Sequence, residues 1–194
     1  GITGKGITMT NYEQTLKRIQ ADERYLKNLD WGEPRKGHPE GSVRHHITDL
    51  EGNLARLKPE LTDDDYWKLL VLIHTHDTFK ADATQGVAIL NPNSHASLAR
   101  QFLAGYTDDQ ELLDTVQLHD EPYALWKKHQ AGGDYSQRLE QLLSTIANWD
   151  LFLAFLIIDG CTPGKSRKSL VWFFDQVDER VDSTVTREWI VHSL

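Results

Sequence analysis

The segment "LLVLIHTHDTFK", residues 69–80, runs five apolar residues, Leu69 to Ile73, straight into His74, His76, Asp77 and Lys80. An imidazole beside a carboxylate can move protons or ligate a cation, and an ammonium group one helical turn later can hold an anion. His46, His95, His119 and Asp159 also stand within or beside apolar stretches. Ionisable groups carried inward in this way cost on the order of a few kcal/mol each unless something pairs with them.

The elements that must position these residues read as helical nearly everywhere. A first helix from Asn11 carries Leu16, Ile19, Tyr25 and Leu26 at helical spacing, and "WGEPRKGHPEG" then breaks the pattern. A second helix is expected over 41–58, and a third over 62–81 with Thr62 as N-cap and acids in its first turn. Asn93 or Ser94 caps the next, over 95–105, and Thr107 caps one over 108–119. A short helix is expected at 122–129, a long one at 135–159 and a last one from Ser166. No segment alternates with period two, and there are no repeats. The reading is all-α, a bundle of seven or eight helices in a single domain over 9–194. Residues 1–8, ahead of the only methionine, Met9, read as an expression remnant or a flexible tail.

Helical period decides which polar residues face inward. In the second helix His46 shares the stripe of Val43, Ile47, Leu50, Leu54 and Leu57, whereas His45 lines up with Asp49 and Arg56. In the third, His76, Asp77 and Lys80 share a face with Leu69 and Ile73, and His74 lies on another. His95 leads the stripe Leu98, Ala99, Phe102, Leu103. His119 follows Leu112, Leu113 and Val116, and Asp159 shares a face with Phe152, Phe155 and Leu156. Five helices thus each bury a histidine or an aspartate at or near an end. A shared cation explains them together, because neutral imidazoles and carboxylates both ligate it and its charge offsets the aspartates. Divalent iron, manganese, cobalt, nickel and zinc all suit such donors. His38, His45, His74, His129 and His192 read as non-ligands, with His38 and His45 nearest to lining a pocket. Asp120, directly after His119, reads as an exposed carboxylate in a turn, with a partner of the ligand cluster or a proton donor as the alternative, and Asp150 reads as a capping or paired residue.

The net charge of −8 argues against non-specific nucleic-acid binding as the main business. No run approaches the roughly 20 apolar residues of a membrane span. The single cysteine, Cys161, excludes an intrachain disulfide and fits a reducing, cytoplasmic compartment. Local basic residues can still hold a phosphorylated ligand: Lys80 after the His-Asp pair, Arg44 near His46, and Lys165, Arg167 and Lys168 in "GKSRKS", near a predicted helix start that itself attracts anions.

The order His46, His76-Asp77, Asp159 resembles the HD-domain superfamily of metal-dependent phosphohydrolases. "HPEGSVRHHI" is similar to the first-histidine segment of the superfamily's tRNA-nucleotidyltransferase members, and "THDTFK" resembles its His-Asp-x-Gly-Lys, with Phe79 where glycine is common. "SHASLARQFL", "LLDTVQLHDEPY" and "FLIIDGCTPGKSRK" resemble the later segments, so the likeness spans about 38–172. Members with two extra histidines between the His-Asp pair and the last aspartate bind two metals. The resemblance therefore implies one metal on His46, His76, Asp77 and Asp159. It implies a second on His95 and His119, with Asp77 bridging. Asp77 and Lys80 become the catalytic candidates. Hydrolysis of a small phosphorylated molecule, such as a nucleotide or phosphate monoester, is the leading expectation. A di-iron oxygenase resembling inositol oxygenase, and a non-catalytic ligand-binding domain, are the alternatives. Substrate identity and oligomeric state stay open.

Overall fold

A computed structural model describes residues 10–191; the expected N-terminal tail and His192 lie outside them. The helices are α1 (Asn11–Gln20), α2 (Glu23–Leu26), α3 (Val43–Leu57), α4 (Asp63–Thr75), α5 (His95–Ala104), α6 (Gln110–Leu118), α7 (Glu121–Gln130), α8 (Ser136–Thr145), α9 (Trp149–Gly160) and α10 (Lys168–Val177). The described residues contain no strand, only an isolated bridge between Arg35 and His38. The fold is all-α, and α2 is a single turn. None of these helices is long and apolar enough to cross a membrane.

Two helices form the centre. From Lys68 to Thr75 every residue of α4 is buried, and so is every residue of α9 from Trp149 to Asp159 except Asp150. A helix apolar on all sides has to be surrounded. Around α4 stand α1, α3, α6 and α9, and around α9 stand α3, α4 and α10. Phe152, Phe155 and Phe173 are wholly buried there, and truncating one such ring costs about 3–5 kcal/mol. The C-terminal ends of α4 and α9 deliver His76-Asp77 and Asp159 from the most constrained part of the molecule.

Several boundaries differ from the expected ones, each for a local reason. The long helix at 135–159 is two, α8 and α9, bent by 117°. Asn148 accepts a hydrogen bond from the Leu151 amide, so α9 begins anew with Asp150 in its first turn. The first helix is likewise interrupted, because Asp22 accepts from the Arg24 amide and caps a second start at Glu23, and Leu26 is left exposed. Asp109, not Thr107, is the N-cap of α6. Thr62 and Ser94 cap α4 and α5 as expected. The third helix ends at Thr75 rather than near 81, so the His-Asp pair stands just past a helix end. Phe79 sits there at φ −105°, where glycine has no advantage, and its ring packs on Phe102 at 4.8 Å. Asp150 is structural as expected: it accepts hydrogen bonds from Ser183 and Thr184.

Candidate metal centre

His76 occupies the C-cap of α4, where helix carbonyls lack partners. Its Nδ1 lies 3.0 Å from the Leu72 carbonyl and 3.1 Å from that of Ile73. A carbonyl only accepts, so Nδ1 carries the hydrogen and Nε2 is left as the ligating atom. His119 repeats the device at the C-cap of α6, with Nδ1 2.8 Å from the Val116 carbonyl. Both Nε2 atoms are buried and have no hydrogen-bond partner. The edge of Phe155 packs against both rings, at 5.0 and 6.0 Å.

Asp77 faces two ways. Its Oδ2 lies 3.4 Å from His46 Nε2, 3.3 Å from His76 Nε2 and 3.2 Å from Lys80 Nζ. Its Oδ1 lies 3.7 Å from His95 Nε2 and 3.9 Å from His119 Nε2. Asp159 Oδ1 completes the first side, at 3.1 Å from His46 Nε2 and 3.4 Å from His76 Nε2. Among the described residues, three groups are placed to hold a metal ion: His46–His76–Asp77–Asp159, Asp77–His95–His119, and His38–Glu40–His46, which shares His46 with the first. All six ligand candidates from the sequence come together in them.

The electrostatics follow from this crowding. Burial alone would raise the Asp77 and Asp159 carboxyls, but His76 and Lys80 hold Asp77, and Lys165, His46 and His76 hold Asp159, well below the usual range. Burial opposes a charge on His76, yet Asp77 and Asp159 outweigh it and push the imidazole up to about 10. His46 is raised against its burial by Asp159 and Glu40, whereas burial lowers His119. Without a cation, the first group retains protons that a metal would displace.

Two further carboxylates stand beside these ligand candidates, and Glu40 was not expected from the sequence. Glu40 places Oε1 3.1 Å from His46 Nδ1 and 3.2 Å from His38 Nδ1. Asp120 lies in a turn with its side chain 38% exposed, as expected, and turns its Oδ2 to within 2.8 Å of His95 Nε2 and 3.4 Å of His119 Nε2. Burial would raise the Asp120 carboxyl, but His119 and His95 hold it at about 2. Both residues lie in turns, where helical period carries no signal. Glu40 does stand in the "HPEG" stretch that resembles a first-histidine segment.

The basic candidates separate. Lys80 and Lys165 line a cavity of about 730 Å³ whose floor includes Asp77, His119, Asp120 and Asp159. Lys165 Nζ is 3.2 Å from the Asp159 carbonyl oxygen. Lys36 and Lys127 stand on the same wall, with His38, Tyr123 and Trp126. Arg44 is exposed, paired with Asp30 at 2.9 Å, and is not on that wall. Arg167 donates to the carbonyls of Gly160, Thr162, Lys165 and Val191, so its guanidinium is used as a clamp on the loop after α9. Lys168 is exposed and off the wall; Ser166 and Ser169 line it instead. His45 bonds the Glu40 carbonyl in an exposed position, and His74 is bound to the Tyr25 hydroxyl at 2.7 Å, away from the ligand groups. No family model, no curated protein and no solved structure matches this chain.

Proposed function

We propose that the chain is a metal-dependent phosphohydrolase of the HD-domain type, acting on a small phosphorylated molecule with two divalent cations in its site. The observation that carries this reading is Asp77. Its two oxygens face two separate sets of imidazoles at the floor of a cavity that also presents Lys36, Lys80, Lys127 and Lys165. His46, His76, Asp77 and Asp159 would hold one cation, and His95 and His119 with Asp77 the other. Two cations about 3.5–4 Å apart activate water and polarise a phosphoryl oxygen.

The chain's own residues do the rest. Lys80 and Lys165 supply positive charge beside the two carboxylates, where a phosphoryl oxygen approaches. Phe155 and Leu156 keep one side of the centre apolar, which strengthens the field of those charges. Arg44, Arg167 and Lys168, placed off the cavity wall, have no substrate contact in this reading.

Protein purified without chelator is expected to carry about two equivalents of a divalent transition metal. It should release phosphate from a simple aryl phosphate monoester. The His95→Ala and His119→Ala variants should retain about one equivalent and lose most activity. One equivalent, unchanged in both variants, would reduce the site to a mononuclear one. Two irons, with oxygen uptake and no phosphate release, would overturn hydrolysis in favour of oxygenation.

A further inference from the structure

The second ligand group, His95, His119 and the far oxygen of Asp77, offers a cation three protein donors. The carboxylate of Asp120 stands where it can supply a fourth. Asp120 Oδ2 lies 2.8 Å from His95 Nε2 and 3.4 Å from His119 Nε2, yet neither nitrogen makes a hydrogen bond. The His119 ring is almost wholly buried, and its Nδ1 hydrogen is committed to the Val116 carbonyl. Its Nε2 lone pair therefore faces the lone pairs of two carboxylate oxygens, Asp120 Oδ2 at 3.4 Å and Asp77 Oδ1 at 3.9 Å. Bare donors do not crowd together in this way without positive charge between them. One added proton would serve one ring. A cation serves both rings and both carboxylates at once.

We propose that Asp120 is a direct ligand of the second cation, which makes the two halves of the centre alike: two imidazoles and two carboxylates each, with Asp77 shared. This rests on the two-cation reading above. The carboxylates of Asp77, Asp159 and Asp120 would offset three of the four charges of two divalent cations, and the remaining one, with Lys80 and Lys165, can meet an anionic substrate. Asp120 holds its position because it directly follows the C-cap histidine of α6 and immediately precedes α7, so two helices fix its backbone.

The test is cobalt(II) titration of the metal-stripped full chain, followed by visible absorption and equilibrium dialysis, for the wild type and for Asp120→Asn and Asp120→Glu. Loss of an outer partner of a ligand typically weakens metal binding about 10–100-fold. Asparagine keeps the size of the side chain and one oxygen but removes the charge. The expected result is two equivalents in the wild type. In Asp120→Asn the second equivalent should weaken by about 100-fold or more, with the first unchanged and the second site's cobalt band altered. Asp120→Glu should recover part of the loss. Two equivalents of wild-type affinity and spectrum in Asp120→Asn would overturn the assignment and leave the two-cation reading standing. Fewer than two in the wild type would overturn both.

Discussion

At the scale of single residues, two of the four candidate histidine ligands finish helices and two, His46 and His95, stand in the first turn of one. His76 and His119 each turn Nδ1 back to a carbonyl that the helix leaves free, and this fixes which nitrogen can ligate. The six ligand candidates were legible in the sequence because apolar stripes have a period that singles out inward positions. Glu40 was not, and Asp120 was legible only as an alternative beside His119, because each lies in a turn outside the helices. The titration of the cluster gives a direct check. In the metal-free chain His76 is raised from 6.5 to about 10, so its contribution to stability is complete below pH 6.5 and lost as pH rises toward about 10. Asp77 and Asp159 are lowered, so theirs is present above about pH 3.8 and lost only as pH falls below it. Chelator-treated protein should therefore melt at falling temperature from pH 6.5 to about 10. Protein with excess manganese should show a metal-induced rise that grows over the same range, because the cation displaces those protons. A chelator-treated melting temperature that is flat from pH 6.5 to about 10 would show that His76 does not hold its proton between the two aspartates.

At the scale of elements, the helices carry the ligands but one loop sets the entry of α3, and with it His46. Residues 31–42 fold back so that Gly32 and Gly41 meet. A Cβ on Gly41 would come within 2.8 Å of the Pro34 nitrogen, and one on Gly32 within 2.5 Å of the Gly41 carbonyl oxygen. Gly41 also has φ +77°, and the next residue, Ser42, caps α3 by accepting from the His45 amide. Gly37, at φ +79° in the same loop, has open space around it. Gly41→Ala should therefore cost stability twice, through its backbone conformation and through contact with Pro34, on the order of 2–4 kcal/mol in chemical denaturation. Gly37→Ala carries only the conformational part, about 1 kcal/mol. Equal losses in the two variants would mean that the loop is not pressed against itself. The sequence marked this stretch as a break through its glycines and prolines, but their contact is a tertiary fact that no local pattern encodes. The division of 135–159 into α8 and α9 is different. Asn148 followed by Asp150 is a helix-start signal, and the apolar run that follows it masked that signal.

At the scale of the whole molecule, the chain carries a net charge of −8 but gathers Lys36, Lys80, Lys127 and Lys165 around one cavity. The global charge repels anions and the local lysines attract them, so capture depends on short-range contact within the cavity. The wall also has an aromatic side. Tyr123 and Trp126, one turn apart on α7, stand with ring centroids 5.8 Å apart and planes tilted by 34°, and Tyr123 is 52% exposed. An exposed aromatic ring at the mouth of a binding cavity is available to stack on a planar ligand group, an interaction worth about 1–3 kcal/mol per ring. A phosphate ester that spans from the lysines to this pair should bind better when its alcohol part is aromatic. The check compares aryl and alkyl phosphates of similar size on the metal-loaded protein. The wild type should favour the aryl ester by roughly 5–50-fold in KM. Tyr123→Ala and Trp126→Ala should each shrink that preference while leaving the alkyl ester's KM and both kcat values nearly unchanged. Lys165→Ala should raise KM for both esters alike, and more steeply at low salt, because it acts on the phosphate that they share. An aryl preference that survives in both aromatic variants would place the alcohol part elsewhere in the cavity, against Leu156 and Leu170.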